Sequence, residues 1–255
     1  DDEVYPDGIE YELAAGYNNW VVREFAHIVE LADLNDLRLA LGYDQVNVYG
    51  TSYGTRIILE LLRDYPEGVR SAIIDSVYPP QVNLYVEYPH NAQRAFDVLF
   101  EDCAADADCR AKYPDLGQTF SQVAAELNTD PVYVGTLWVN GSDFMGAVYS
   151  ALYEASAIPK IPKWIQRASR GDHSGLLWFY ERSLVDDNAD RFYAHGVHYT
   201  LLCREEAPFS DPAEALALAS ELHPVVHDSM GWPDPDLAIC EVWDVGMVDP
   251  IENEA

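Results

Sequence analysis

The feature that most constrains this chain is a serine with glycines two positions away on each side, Gly50-Thr51-Ser52-Tyr53-Gly54, set between a strand and a helix. Residues 45–49 are short and Val-rich, with Val46 and Val48 alternating, which predicts a strand. Residues 55–65 put Ile57, Ile58, Leu61, Leu62 and Tyr65 on one helical face and stop at Pro66. A strand end aims the Ser52 hydroxyl out of the sheet, and the amides and dipole at the start of the following helix favour negative charge developing beside it. Gly50 and Gly54 are expected because the turn is strained and side chains at those positions would collide with the strand and helix. The string G-x-S-x-G is weak alone. The strand before it and the helix after it separate it here from an ordinary turn that happens to contain a serine.

Residues 71–77 form a compact apolar strand closed by Pro79-Pro80, so 45–77 reads as a β-α-β unit and implies a parallel sheet covered by helices. Upstream, 1–18 is acidic and turn-rich. Residues 19–41 show helical spacing at Val22, Phe25, Val29, Ala32, Leu37 and Leu41, with Gly42 where a helix C-cap is expected. Beyond Pro80 the pattern turns helical, with helices predicted at 91–101, 117–127, 142–153, 162–170 and 175–183 and few strand signals. The expected organisation is a partial core over 1–80, a helical cap over 81–200, and the end of the cap returning toward the core over 201–255. That last stretch is read as a helix at 211–226, a Pro-rich loop at 224–235 and a strand at 237–242.

The run from Gly42 to Arg56, with Tyr65-Pro66-Glu67 and Ala72-Ile73-Ile74-Asp75-Ser76-Val77, resembles the proline iminopeptidase and tripeptidyl aminopeptidase branch of the α/β-hydrolases. The resemblance extends through Cys203-Arg204-Glu205-Glu206. It implies an α/β fold: an incomplete α/β-hydrolase core, a parallel sheet flanked by helices, with an inserted helical cap. It also implies an exopeptidase acting on free N-termini, secreted or in the cell envelope, and needing no cofactor. Ser52 would attack the scissile carbonyl while a histidine takes its proton and an acid orients that histidine. The backbone N–H of Tyr53 would form half of the oxyanion hole, a contribution of about 3–4 kcal/mol. Glu205 and Glu206 are the expected carboxylates for a protonated substrate amine; a solvated acidic pair beside a disulfide is the plainer reading.

Such a fold needs strands and an oxyanion loop before the serine, then an acid and a histidine late in the chain. Neither is legible in 1–44 or before Ala255, so the sequence is expected to be a central portion with both partners outside it. The alternative is an internal triad that pairs Asp75 with His195, His198, His223 or His227. None of these histidines sits in a short Gly-rich loop after a strand, and Asp75 has the commoner role of a strand-end turn residue. His195 and His198 lack a carboxylate or cysteine at ligand spacing, so no metal is expected.

A formal net charge of -29 would repel phosphate backbones and anionic lipid, which disfavours nucleic acid as a partner. It reads as solubility or salt adaptation, or else as attraction of cationic substrates. No apolar run reaches the length of a membrane span and no basic-then-apolar leader is present, so neither membrane insertion nor a retained signal peptide is expected. The four cysteines fall as local pairs, Cys103 with Cys109 and Cys203 with Cys240, without a CxxC spacing. Two disulfides and a compartment outside the reducing cytosol are expected, against four separate buried thiols. Arg170-Gly171-Asp172 reads as a helix-end turn rather than an adhesion motif. Asn140-Gly141-Ser142 is a formal glycosylation acceptor and equally a plain turn. Two other functions share this pattern: an esterase or small-molecule hydrolase on the same scaffold, and a non-catalytic binding protein that keeps the turn as a relic.

Overall fold

The computed structural model of the protein describes residues 31–135, 137–175, 194–230, 236–243 and 245–253. The chain divides into two compact units, Asp1–Tyr85 with Ala194–Ser210 and Asp234–Ala255, and Val86–Tyr193 with Asp211–Pro233.

In the first unit, helix α1 (Leu31–Ala40) is the described end of the expected helix 19–41. It closes as the sequence predicts. Gly42 takes φ 75°, its N–H donates to Leu39 O, and Tyr43 N–H donates to Arg38 O, so the carbonyls of the last turn are satisfied by the left-handed residue that follows. Strand β1 (Val46–Thr51), helix α2 (Tyr53–Asp64) and strand β2 (Val69–Asp75) form the expected β-α-β unit. β1 and β2 are parallel, with Gly50 opposite Ile74 and Thr51 opposite Asp75. Parallel strands are ordinarily covered on both faces. Tyr49 and Ile73 are 64% and 61% exposed among the described residues, the mark of an incomplete parallel core.

Helix α3 (Leu84–Ala105) is longer at both ends than the expected 91–101, and it runs through Pro89. Proline inside a helix removes a hydrogen bond to the preceding turn, and here Pro89 lies within the second turn. In the second unit, α4 (Ala107–Lys112) starts at Asp106, whose side chain accepts from Cys109 N–H, and α5 (Leu116–Thr129) follows. Next come a hairpin of β3 (Val132–Val134) and β4 (Leu137–Val139), then α6 (Gly141–Ala151) and α7 (Ile161–Ala168). The core of this unit is aromatic: Phe120 lies 5.1 Å from Phe96 and 5.4 Å from Phe144 between ring centroids, walled by Val123, Met145, Ile161 and Ile165. Asn140 and Asp143 exchange side-chain to backbone hydrogen bonds as a capping box for α6, which is the structural use of the Asn140-Gly141-Ser142 string. Gly171 N–H donates to Ala168 O and Asp172 N–H to Arg167 O, so Arg170-Gly171-Asp172 is the turn that ends α7. The predicted helix 175–183 lies outside the described residues except for its first position.

Three expectations are corrected. The hairpin at 132–139 was read as part of a helical stretch; its strands are three residues each, too short for a periodic signal to compete with the helices around it. The helix expected at 211–226 is two helices, α9 (Pro212–Ala219) and α10 (Pro224–Met230). Pro224 has no N–H and disfavours helical backbone at the residue before it, so it opens a new helix and cannot continue the old one. The strand expected at 237–242 is helix α11 (Asp236–Cys240) followed by a turn. A short apolar run cannot tell a strand from a buried helix by period alone. Here Trp243 N–H donates to Ile239 O, and the Trp243 indole, 2% exposed, donates to Thr200 Oγ1 on helix α8 (His195–Leu201). Both expected disulfides are present, Cys103–Cys109 and Cys203–Cys240. Among the described residues no helix is long and apolar enough to cross a membrane.

Candidate active site

Ser52 is the junction between β1 and α2 and has φ 55°, ψ −123°. An L-residue with a side chain meets this region at a cost of about 1–3 kcal/mol, so the surroundings must enforce it. They do so from both sides. Ser52 N–H donates to Asp75 O on β2, and Ser52 O accepts from Thr55 N–H at 2.9 Å and from Thr55 Oγ1 at 2.6 Å. Ser52 is exposed, and its side chain does not cap the helix it precedes. Tyr53 is the first helical residue, and a backbone N–H there has no partner within the helix.

The two glycines are not equivalent. A Cβ on Gly50 would lie 2.4 Å from Gly54 O, 2.6 Å from Gly54 C and 2.8 Å from Ile58 Cδ1, so strand and helix cross too closely there for any side chain. A Cβ on Gly54 would meet nothing within 4 Å. The expectation that both glycines avoid collisions is corrected for Gly54, whose backbone is what Gly50 must clear.

Beside this turn sits a buried ionic cluster. The segment Leu202–Glu206, a π-helical turn continuing α8, carries Glu205 and Glu206, and the Cys203–Cys240 disulfide fastens it to α11. Arg56, fully buried on the first turns of α2, places Nε 3.1 Å from Glu60 Oε1 and 3.3 Å from Glu205 Oε2, and Nη1 3.0 Å from Glu206 Oε1. The Tyr53 hydroxyl donates to Glu205 at 3.0 Å. The Tyr78 hydroxyl donates to Glu206 Oε1, and Leu84 N–H at the start of α3 donates to Glu206 Oε2 at 2.9 Å. A carboxylate at a helix N-terminus is also favoured by the helix dipole.

Burial pushes the carboxyls of both Glu205 and Glu206 above the usual glutamate value. For Glu205 the Arg56 charge and the Tyr53 hydrogen bond partly oppose this. For Glu206 the hydrogen bonds from Tyr78 and Leu84 do so, with Arg56. Burial also raises both phenols, each further by the carboxylate it touches, so Tyr53 and Tyr78 are donors throughout the accessible pH range. Burial alone would lower Arg56, but Glu205, Glu206 and Glu60 outweigh it and raise it. Removing one partner from a buried ion pair typically costs about 3–5 kcal/mol, because the other charge is left uncompensated.

The remaining candidates fall elsewhere. Asp75, at the end of β2, accepts from Tyr49 Oη at 3.0 Å and from Ser76 Oγ at 3.2 Å. His195 opens α8, and its side chain lies outside the described residues. The His198 ring lies 5.1 Å from that of Tyr199. His223 Nε2 lies 3.3 Å from Ser121 Oγ and its Nδ1 accepts from Val225 N–H, while His227 Nδ1 lies 3.1 Å from Asp228. Among the described residues neither Ser52 nor Asp75 is hydrogen-bonded to a histidine, and no cluster of His, Cys, Asp and Glu suits a metal. Sequence reasoning brought forward Ser52, Tyr53, Glu205 and Glu206 but missed Arg56 and Tyr78. The available signal was Arg56 one helical turn before Glu60, an oppositely charged i,i+4 pair.

Comparison with known proteins places the chain in a family. The chain is 35% identical over 80 residues to proteins named Serine protease Hip1 from Mycobacterium bovis and from two strains of Mycobacterium tuberculosis. That match covers 30% of this chain and 15% of the length of each relative. Residues 18–188 match the description of the alpha/beta hydrolase fold, and the chain belongs to that family.

Proposed function

We propose that this chain carries the nucleophile of a serine hydrolase that cleaves peptides from a free N-terminus, with Ser52 attacking the scissile carbonyl and Tyr53 N–H receiving the developing oxyanion. The observation that carries the reading is the backbone of Ser52, held at positive φ between a parallel strand and a helix with its side chain exposed. Strain of this kind on a non-glycine residue costs stability and is concentrated at functional sites. Relatives named as serine proteases support peptide bonds as the target.

The acidic cluster supports recognition of a protonated amine and divides the labour between its two glutamates. Glu206 is spent on the scaffold, with Oε1 accepting from Arg56 and Tyr78 and Oε2 from Leu84 N–H. Glu205 keeps a side chain 14% exposed against 5% for Glu206, and its Oε1 accepts from the Tyr53 hydroxyl. Three carboxylates gather on the Arg56 guanidinium, with the Arg204 charge also acting on Glu205, and a carboxylate-rich setting of this kind suits a cationic group. Glu205 is therefore the amine partner. Two disulfides support a secreted or envelope location.

The test is labelling of the intact protein by a fluorophosphonate probe, expected to be lost in Ser52→Ala, alongside hydrolysis of matched free and N-acetylated peptides. Ester turnover without peptide turnover would replace the peptidase reading. Equal rates on free and acetylated peptides would remove the amine role of Glu205.

A further inference from the structure

We propose that Arg56 is a positioning residue for the Ser52 turn: its buried guanidinium, through Glu205 and Glu206, clamps the first turn of α2 to the Leu202–Glu206 segment and so fixes the Tyr53 N–H beside the serine. The inference rests on Ser52 as nucleophile and extends the machinery to residues that touch no substrate.

Its basis is how the turn is held. On its N-terminal side Ser52 is tied to β2 through Asp75 O. On its C-terminal side Thr55 anchors the turn by bonding back to Ser52 O. Besides the packing of α2 against β1, polar side chains reaching out of the first turn add further restraints among the described residues. The Thr55 hydroxyl accepts from Tyr78 N–H at 2.8 Å, the Tyr53 hydroxyl reaches Glu205, and Arg56 reaches Glu205 and Glu206. Glu206 in turn gathers Tyr78 and Leu84 N–H, while its backbone carbonyl accepts from Asn83 Nδ2 at 2.9 Å. Three residues of the first turn are thus cross-linked to 78–84 and to 202–206, and Arg56 is the cation that bonds to both Glu205 and Glu206.

Arginine is suited to this place where lysine is not. Its planar fork presents Nε toward Glu60 and Glu205 while Nη1 faces Glu206. An ammonium on a flexible stem is a point charge and cannot hold that set of directions. If the clamp loosens, Tyr53 shifts with α2, and a misplacement on the order of 1 Å costs about 100-fold in rate. A buried ion cluster that merely stabilises the fold would change how much protein is folded and leave each folded molecule as active as before.

The experiment separates these. Arg56→Lys, Glu206→Gln and Tyr53→Phe are made in the intact protein. Active sites are counted by fluorophosphonate labelling, kcat and KM are measured per labelled site on a free-amine peptide, and amide hydrogen exchange is followed at 53–56 and 202–206. Arg56→Lys is expected to lower kcat per labelled site by about 10- to 100-fold with KM changed by less than about threefold, and to speed exchange in both segments. Glu206→Gln, which keeps an acceptor for Arg56 and Tyr78, is expected to lose less kcat per labelled site than Arg56→Lys does. Unchanged exchange in both segments, or kcat per labelled site within about twofold of the parent, overturns the clamp. If Arg56→Lys does not fold, Tyr53→Phe decides: it removes only the hydroxyl to Glu205, and a parent-like kcat per site with parent-like exchange overturns the proposal. Should the parent show no labelling that depends on Ser52, the nucleophile reading falls, and exchange at 53–56 and 202–206 still judges the clamp.

Discussion

Replacing Gly50 and Gly54 by alanine, one at a time, sets two changes of identical chemistry against opposite surroundings. The Cβ of Gly50→Ala would stand 2.4 Å from Gly54 O and 2.8 Å from Ile58 Cδ1. Ile58 can change rotamer, but Gly54 O is backbone in the first turn of α2, so β1 and α2 must separate by roughly 1 Å to restore ordinary contact. Overpacking costs about 1–3 kcal/mol, and a clash of side chain against backbone belongs near 3. At about 2–4 °C per kcal/mol for a chain of this size, Tm should fall by about 6–12 °C. Gly54 has no such neighbour and lies inside the helix, where alanine is favoured over glycine by about 0.5–1 kcal/mol. Gly54→Ala should therefore hold Tm or raise it by about 1–4 °C. Calorimetry supplies Tm, and the rate of fluorophosphonate labelling reports the serine, which separation of β1 from α2 would displace. Gly50→Ala melting within about 2 °C of the parent and labelling at the parental rate would refute the close approach of strand and helix. Equal destabilisation by both variants would refute the distinction between the two glycines.

Ser52→Gly should abolish labelling yet stabilise the fold by about 1–2 kcal/mol, because glycine adopts positive φ without the strain that serine bears; urea denaturation showing a loss of stability would contradict that account. Glu205 has a folded-state pKa raised from 4.5, so the folded protein holds a proton there that the unfolded chain has already lost, and the stability it contributes fades as pH rises through the raised value. Stability of the parent minus that of Glu205→Gln, measured across pH, should therefore fall as pH climbs above 4.5, and a difference that grows with pH would reverse the assigned sign. Breaking Cys203–Cys240, which closes the longer loop with a separation of 37 residues, should cost about 4 kcal/mol. Breaking Cys103–Cys109, with a separation of 6, should cost about 2; paired Cys→Ser variants compared by denaturant titration would show the opposite order if loop closure does not govern their contributions.

The site was legible to the extent that its cause is local. The strand, the turn and the helix around Ser52 are written within a few neighbouring positions, because alternation at Val46 and Val48, the missing side chain at Gly50 and the apolar face ending before Pro66 each act within one turn of chain. The reading failed where a distant partner decides. The run 237–242 carries an apolar pattern that suits a strand, and it is helical with Cys240 bonded to Cys203 and Trp243 bonded to Thr200. Likewise Arg56 and Glu206 stand 150 residues apart, and no spacing in the sequence shows that they meet.

The same division separates what each half of the site contributes. Local sequence explains why Ser52 adopts a strained backbone, since Gly50 admits the helix against the strand and Asp75 O receives the serine amide. It does not by itself explain why the strain persists, because the Thr55 bonds to Ser52 O lie within the first turn of α2 and would move with it if it drifted. The opposing hold comes from charge: a buried guanidinium surrounded by carboxylates cannot move without leaving one of them uncompensated, at a cost of about 3–5 kcal/mol, which exceeds the roughly 1–3 kcal/mol stored in the backbone of a single strained residue. The ionic cluster is therefore strong enough to maintain the turn, and Ser52 keeps its conformation because relaxing it would cost more than it returns.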